Sequence, residues 1–76
     1  MTIFTVVNRK ILGDKPWEVQ DGAPALFSTY DKAIDYVQRM IGNKAKCINQ
    51  DFWEEWASPI VPNHILIVEE RTVDMN

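Results

Sequence analysis

The stretch "HILIVEERTV", residues 64–73, is the part of the chain on which the fold depends. After His64 come four apolar side chains in succession, followed by the acidic pair Glu69 and Glu70. A continuous apolar run of this length is typical of a strand that is buried on both faces. We therefore predict that residues 64–73 form the last strand of a sheet and lie beside the first strand.

The first strand is predicted over residues 3–12, which are rich in β-branched side chains and apolar on both faces near their start. Residues 13–16, Gly-Asp-Lys-Pro, form a turn. Residues 17–19 and 25–27 then read as two pieces of a second strand, interrupted by a bulge, a kink or a loop. Pro24 has no N–H for a ladder, so this second strand lies at an edge or leaves the sheet there.

The main helix is predicted to follow Ser28, which caps it, with Asp31 completing a pattern like a capping box. Apolar residues recur at helical spacing and give one buried face, and Gly42-Asn43 ends the helix. That face consists of Tyr30, Ala33, Ile34, Val37 and Ile41.

The stretch "QDFWEEWASP", residues 50–59, predicts a short second helix over residues 51–57, with Asp51 as its cap and Glu54 at the third position. On such a helix Phe52 and Trp56 share one face and belong to the fold, whereas Trp53 points elsewhere. The preceding residues, 44–50, fit either a helix or a strand.

These elements predict a single domain, residues 1–76, of the α+β class. It has a three-stranded, mostly antiparallel sheet with one main helix and one short helix packed on one face. The chain has one cysteine, Cys47, and no basic leader before its first apolar run, which is too short to cross a membrane. These features predict a cytoplasmic protein without a disulfide and without a membrane partner.

Catalytic chemistry finds little support in the sequence. Cys47 and His64 are each the only residue of their type, and nothing in the sequence brings them together. The adjacent pairs Glu54-Glu55 and Glu69-Glu70 point apart on a helix or a strand. We predict that the protein is not an enzyme and has no catalytic residues, no metal and no cofactor.

Charge is distributed unevenly along the chain. Residues 1–50 carry seven basic and five acidic side chains, whereas residues 51–76 carry one basic and six acidic side chains. Aromatic residues ringed by polar ones are common at protein interfaces. We therefore predict a partner-binding surface that faces a basic protein or a second copy of the chain. Its predicted members are Trp53, Glu54, Glu55, Glu69 and Glu70.

Nucleic-acid binding is the alternative function, and it uses the basic first half of the chain. Aromatic side chains near converging basic residues could stack on unpaired bases. The acidic overall balance, a net charge of −3, argues against it. The predicted residues are Arg9, Lys10, Lys15, Lys44 and Lys46.

Two stretches, "LFSTYDKAIDYVQRMI" (26–41) and "ILIVEERTVD" (65–74), carry a resemblance that covers about half the chain. It resembles a class of small, uncharacterised bacterial and bacteriophage proteins, in which a hairpin leads through a Phe-Ser-Thr turn into a helix and a closing strand. The resemblance implies an accessory protein that binds a host protein, such as an inhibitor of a defence system of the CRISPR type. It implies host cytoplasm as the location and carries no catalytic residues.

Overall fold

The computed structural model of the chain describes residues 1–74, which form six strands and one helix. All strand pairings within this part of the chain are antiparallel. The elements in chain order are β1 (Thr2–Ile11), β2 (Val19–Asp21), β3 (Ala25–Phe27), α1 (Tyr30–Ile41), β4 (Lys46–Asn49), β5 (Glu54–Ser58) and β6 (Val61–Thr72).

The centre of the sheet is the ladder between β1 and β6, which runs from the pair Thr2–Thr72 to the pair Lys10–His64. This confirms the prediction that the last strand lies beside the first, and the two strands run antiparallel. The other side of β1 is shared by two short strands, β2 and β3. β3 coincides with the predicted piece 25–27, whereas β2 lies two residues later than the predicted piece 17–19. Pro24 lies in the interruption between the two strands.

The predicted short helix over residues 51–57 is wrong, because this segment contains strand β5, which pairs with β6. Residues 46–49 form a further strand, β4, on the outer side of β5. A seven-residue helix has little stability of its own in water. Strand β5 instead pairs with the edge of β6 that β1 leaves free, and this tertiary pairing outweighs the local capping pattern.

The predicted α+β fold with a three-stranded sheet and two helices is therefore also wrong. The described residues form one six-stranded antiparallel sheet, mostly β, with a single helix. Strand order across the sheet is β2-β1-β6-β5-β4, with β3 also paired to β1. The sheet is wider than predicted because β6, with 12 residues, supports strands along both of its edges.

The cap of helix α1 lies one residue later than the predicted Ser28, and the helix begins at Tyr30. Thr29 is the cap, and its hydroxyl accepts a hydrogen bond from the Lys32 amide at 3.2 Å. Gly42 ends the helix with a φ of 91°, a conformation that favours glycine, and its amide donates to the Gln38 carbonyl at 2.8 Å.

The core lies between α1 and one face of the sheet, which we call the helix face. The predicted apolar stripe of α1 supplies buried Ala33, Val37 and Ile41, while Ile34 is partly buried against the core. Tyr30, the first residue of that stripe, is 39% exposed. The buried hydrophobic residues of the sheet, among residues 1–74, are Val6, Leu66 and Val68.

The opposite side of the sheet, which we call the open face, has no helix packed on it within residues 1–74. Side chains alternate between faces along a strand, so the odd-numbered residues of β1, and those of β6 from Ile65 onward, point to this side. Its apolar members on those two strands are Ile3, Val7, Ile11, Ile65 and Ile67, all partly exposed. One face of the sheet is thus a closed core and the other is accessible.

The position of the helix cap can be tested with two neighbouring hydroxyl residues. Thr29→Ala removes the acceptor for the Lys32 amide and should lower the free energy of unfolding by roughly 0.5–2 kcal/mol. Ser28→Ala is the control, because the Ser28 hydroxyl contacts only the Lys32 ammonium, at 3.4 Å, and should change stability by much less. Urea denaturation followed by circular dichroism measures both, and a larger loss for Ser28→Ala would contradict this assignment.

Candidate functional site

The sheet divides the predicted acidic surface between its two faces. Glu54 lies opposite Val68, and Glu70 lies opposite Phe4, so both carboxylates belong to the helix face. Glu55 lies opposite Ile67, and Glu69 lies opposite Thr5, so these two belong to the open face. The five residues predicted to act together therefore form two separate groups, with Trp53 beside both.

The two aromatic residues that precede β5 are the most conspicuous feature of the site. Phe52 is 92% exposed and Trp53 is 39% exposed, and their ring centroids lie 6.5 Å apart. The Trp53 indole N–H donates to Glu55 at 3.0 Å, which ties this ring toward the open face. The prediction that Phe52 belongs to the fold is wrong, since it relied on a helix that does not form. Trp56, by contrast, packs against the core as predicted.

A cleft of about 430 Å³ lies next to Phe52, at the end of the helix face where α1 begins. Its walls combine aromatic rings with carboxylates, and no basic side chain among residues 1–74 lines it. The aromatic members are Phe4, Tyr30, Phe52 and Trp53, the acidic members are Asp51, Glu54 and Glu70, and Gln50 and Val68 complete the wall.

Glu54 is held in place at the base of this cleft. Its Oε1 accepts hydrogen bonds from the Tyr30 hydroxyl at 2.7 Å and from the Trp56 indole N–H at 2.9 Å. The Tyr30 ring in turn meets the ring of Phe4 edge to face, with centroids 5.9 Å apart. The carboxylate is fixed by donors from the helix and from its own strand, so its charge has a defined position.

The environment of Tyr30 changes its acidity. Burial of the phenol, together with the hydrogen bond to Glu54 and the negative charge of that carboxylate, raises the pKa of Tyr30 to about 12. The ordinary value is about 10. The hydroxyl therefore remains a hydrogen-bond donor to Glu54 throughout the physiological pH range.

This arrangement suits a positively charged organic group. Aromatic rings attract cations through their negative faces, and carboxylates add direct charge attraction. No group of three or more His, Cys, Asp or Glu side chains among residues 1–74 is arranged to hold a metal ion. The lysine and arginine side chains have the positive charge that such a cleft attracts, and their apolar stems can lie against its aromatic rings.

Sequence reasoning missed Phe4, Tyr30, Asp51 and Phe52 as members of the site. Phe4 and Tyr30 carry the same apolar signal as the core residues of β1 and α1, so periodicity assigns them to the core. Asp51 was assigned to a helix cap, whereas its amide is bound by the Asn49 side chain at 3.1 Å. The hydroxyl of Tyr30 is the one signal that could have separated it from an ordinary core position.

The structure does not bring the predicted basic residues together. Arg9 forms a bidentate ion pair with Asp21, at 2.8 and 3.0 Å, which lowers the pKa of the Asp21 carboxyl. Lys15 lies over the ring of Trp17, 5.3 Å from its centroid. Lys10 lies on the helix face of β1, opposite His64.

The remaining two lysines are separated from β1 across the width of the sheet. Lys46 is on β4, three strand spacings or about 14 Å from β1. Lys44 is in the loop between α1 and β4. The five residues therefore do not form one continuous basic patch.

Cys47 and His64 have separate environments. Cys47, on β4, contacts the Asn49 carbonyl through its thiol at 3.3 Å. His64, on β6, contacts the Asn8 side chain through Nδ1 at 3.1 Å. Strand β5 lies between β4 and β6, so the thiol and the imidazole are not in hydrogen-bonding contact.

The raised pKa of Tyr30 can be measured directly in a Tyr36→Phe variant, because the sequence contains only these two tyrosines. The phenolate absorbance should rise with a midpoint near 12, and Glu54→Gln should lower that midpoint. Since the folded state holds the proton more tightly than the unfolded state, this stabilising contribution is complete below pH ~10 and is lost between about pH 10 and pH 12. A midpoint near 10 while circular dichroism still reports a folded protein would contradict the assignment.

Comparison of the chain with known protein families, with characterised proteins and with solved structures found no match. Among residues 1–74, the structure has no helix with the length and apolar character needed to cross a membrane. The features of the molecule that bear on its function are therefore the cleft, the exposed aromatic residues and the charges around them.

Proposed function

We propose that this chain is a small, non-enzymatic protein that acts by binding another protein through the Phe52 cleft. The observation that carries this proposal is the 92% exposure of Phe52 at the rim of a cleft whose charged walls are all acidic. The partner presents a basic segment, with a lysine or arginine side chain entering the cleft and an apolar contact covering Phe52.

The energetics support this use of the site. Burial of an exposed phenylalanine on association lowers the free energy of the complex, and aromatic residues surrounded by polar ones supply much of the binding energy of many protein interfaces. Asp51, Glu54 and Glu70 supply the polar surround and favour approach of a positive surface. The fixed position of Glu54 also reduces the side-chain entropy that is lost when a partner binds.

The class of partner follows from charge and from the resemblance described above. Proteins that handle nucleic acids carry basic grooves, and an acidic protein can occupy such a groove. We propose that the chain is a phage or mobile-element accessory protein in the host cytoplasm. Its target would then be a host protein of this kind, such as a component of a CRISPR-type defence system.

The first test of this function compares two exposed apolar residues. Phe52→Ala should reduce the affinity for the purified partner by about 30-fold or more, the range of a binding hot spot. Leu12→Ala is the control, because Leu12 is 59% exposed but lies at the far end of β1, away from the cleft. The partner is captured from host lysate with the wild-type chain, purified, and titrated by calorimetry. Equal affinities for the two variants would exclude the Phe52 cleft as the binding site.

The second test concerns the charges of the cleft. Glu70→Gln keeps the size of the side chain and removes one negative charge, so it should weaken partner binding and reduce its salt dependence. Asp35→Asn is the control, since Asp35 lies on α1, outside the cleft, and is paired with Arg39 at 2.9 Å. Binding that strengthens in Glu70→Gln would contradict a basic partner.

A further inference from the structure

We propose that the open face of the sheet is the interface of a symmetric dimer of this chain. This surface lies on the side of the sheet opposite α1 and the core. The proposal is independent of the Phe52 cleft, which lies at the end of the helix face.

The open face is apolar along its middle. Ile3, Val7 and Ile67 line a groove of about 340 Å³ whose rim is formed by Pro24 and Leu26. Leu26 is 64% exposed although it belongs to a strand of the sheet. A sheet face of this composition is ordinarily covered by a second layer, and within residues 1–74 the chain supplies a layer to the helix face only.

The charges of this face identify a second copy as the partner. Arg9 pairs with Asp21, and Arg71 pairs with Glu69. The Trp53 indole N–H donates a hydrogen bond to the carboxylate of Glu55. Lys46, on β4, also belongs to the open face. The strands thus present three basic and three acidic side chains here, within the described residues.

A balanced face of this kind can meet its own copy without net repulsion. The chain as a whole carries a net charge of −3, so two copies repel each other over most other surfaces. In a twofold dimer the same patch faces itself, and alternating signs allow each ion pair to approach a complementary one. A strongly basic or acidic partner gains no such advantage from this neutral face.

The size of the face fits a reversible dimer that forms as the concentration rises. The ladder between β1 and β6 contains nine residue pairs, which span about 30 Å. The outer strands are shorter, with three to five residues each, so the flat area of the face is roughly 400 Å², about half of the ~800 Å² per partner of a standard interface. Side-chain relief adds accessible surface to this flat area, which places the face among the small interfaces of reversible complexes.

The experiment measures molecular mass against concentration by sedimentation equilibrium. The wild-type chain should approach twice the mass of 8.8 kDa as its concentration rises. Leu26→Lys should shift the equilibrium to the monomer, and because Leu26 is already exposed this change should preserve the fold. Ile67→Lys is a second variant on the same face. Ile60→Lys is the matched control, since Ile60 is 62% exposed in the turn between β5 and β6 and should leave the dimer unchanged.

Two results would overturn the proposal. One is a wild-type chain that remains monomeric at every concentration while circular dichroism shows it folded. The other is a dimer that survives Leu26→Lys and folded Ile67→Lys. Phe52→Ala distinguishes this proposal from the proposed function, because it should weaken partner binding by about 30-fold or more and leave the dimer intact. A dimer lost in Phe52→Ala but kept in Leu26→Lys would assign self-association to the cleft instead.

Discussion

The pairing of β1 with β6 is the interaction on which the rest of the structure depends. It joins the two ends of the described chain, with the Met1 amino group and the Val73 amide each donating to the other residue's carbonyl. Closing a loop of this length lowers the entropy of the chain, and the apolar side chains on both strands offset that loss. β2, β3 and β5 pair with the outer edges of this pair, β4 pairs with β5, and α1 packs on one side of the sheet.

The same ladder decides which side chains can act together. Alternation along β6 sends Glu70 to the helix face and Glu69 to the open face, although the two are neighbours in sequence. The register of β5 does the same for Glu54 and Glu55. Each of the two acidic pairs thus contributes one carboxylate to the cleft and one to the face whose charges are balanced, and the two surfaces suit different partners.

The sequence predicted the elements whose patterns have one interpretation. The apolar run at 65–68 is too short and too continuous for an amphipathic helix, and the spacing of Ala33, Val37 and Ile41 does not fit a strand. The segment from 51 to 57 is different, because Asp51 and Glu54 fit a capping box while Glu54 and Trp56 fit the alternation of a strand. Only the free edge of β6 decides between them, and a pairing across the fold cannot be read from a local pattern.

The candidate site could be predicted in composition but not in geometry. Aromatic and acidic residues near position 53 were identified, yet the most exposed ring is Phe52, because residues 51–53 form a bend before β5 and not a helix with one face on the core. Tyr30 belongs to the site because its hydroxyl donates a hydrogen bond to Glu54, which lies 24 positions further along the chain. Contacts of this kind follow from the fold and have no signature in the sequence around either residue.

The placement of the two surfaces has a consequence for binding. In a dimer built on the open face, both helix faces point outward, so each dimer presents two Phe52 clefts on its exterior. A target with two basic segments at a matching distance can then occupy both clefts at once, and the second contact forms at the high effective concentration set by the first. Such a dimer binds a repetitive basic surface more tightly than an isolated basic segment, although the contacts within each cleft are the same.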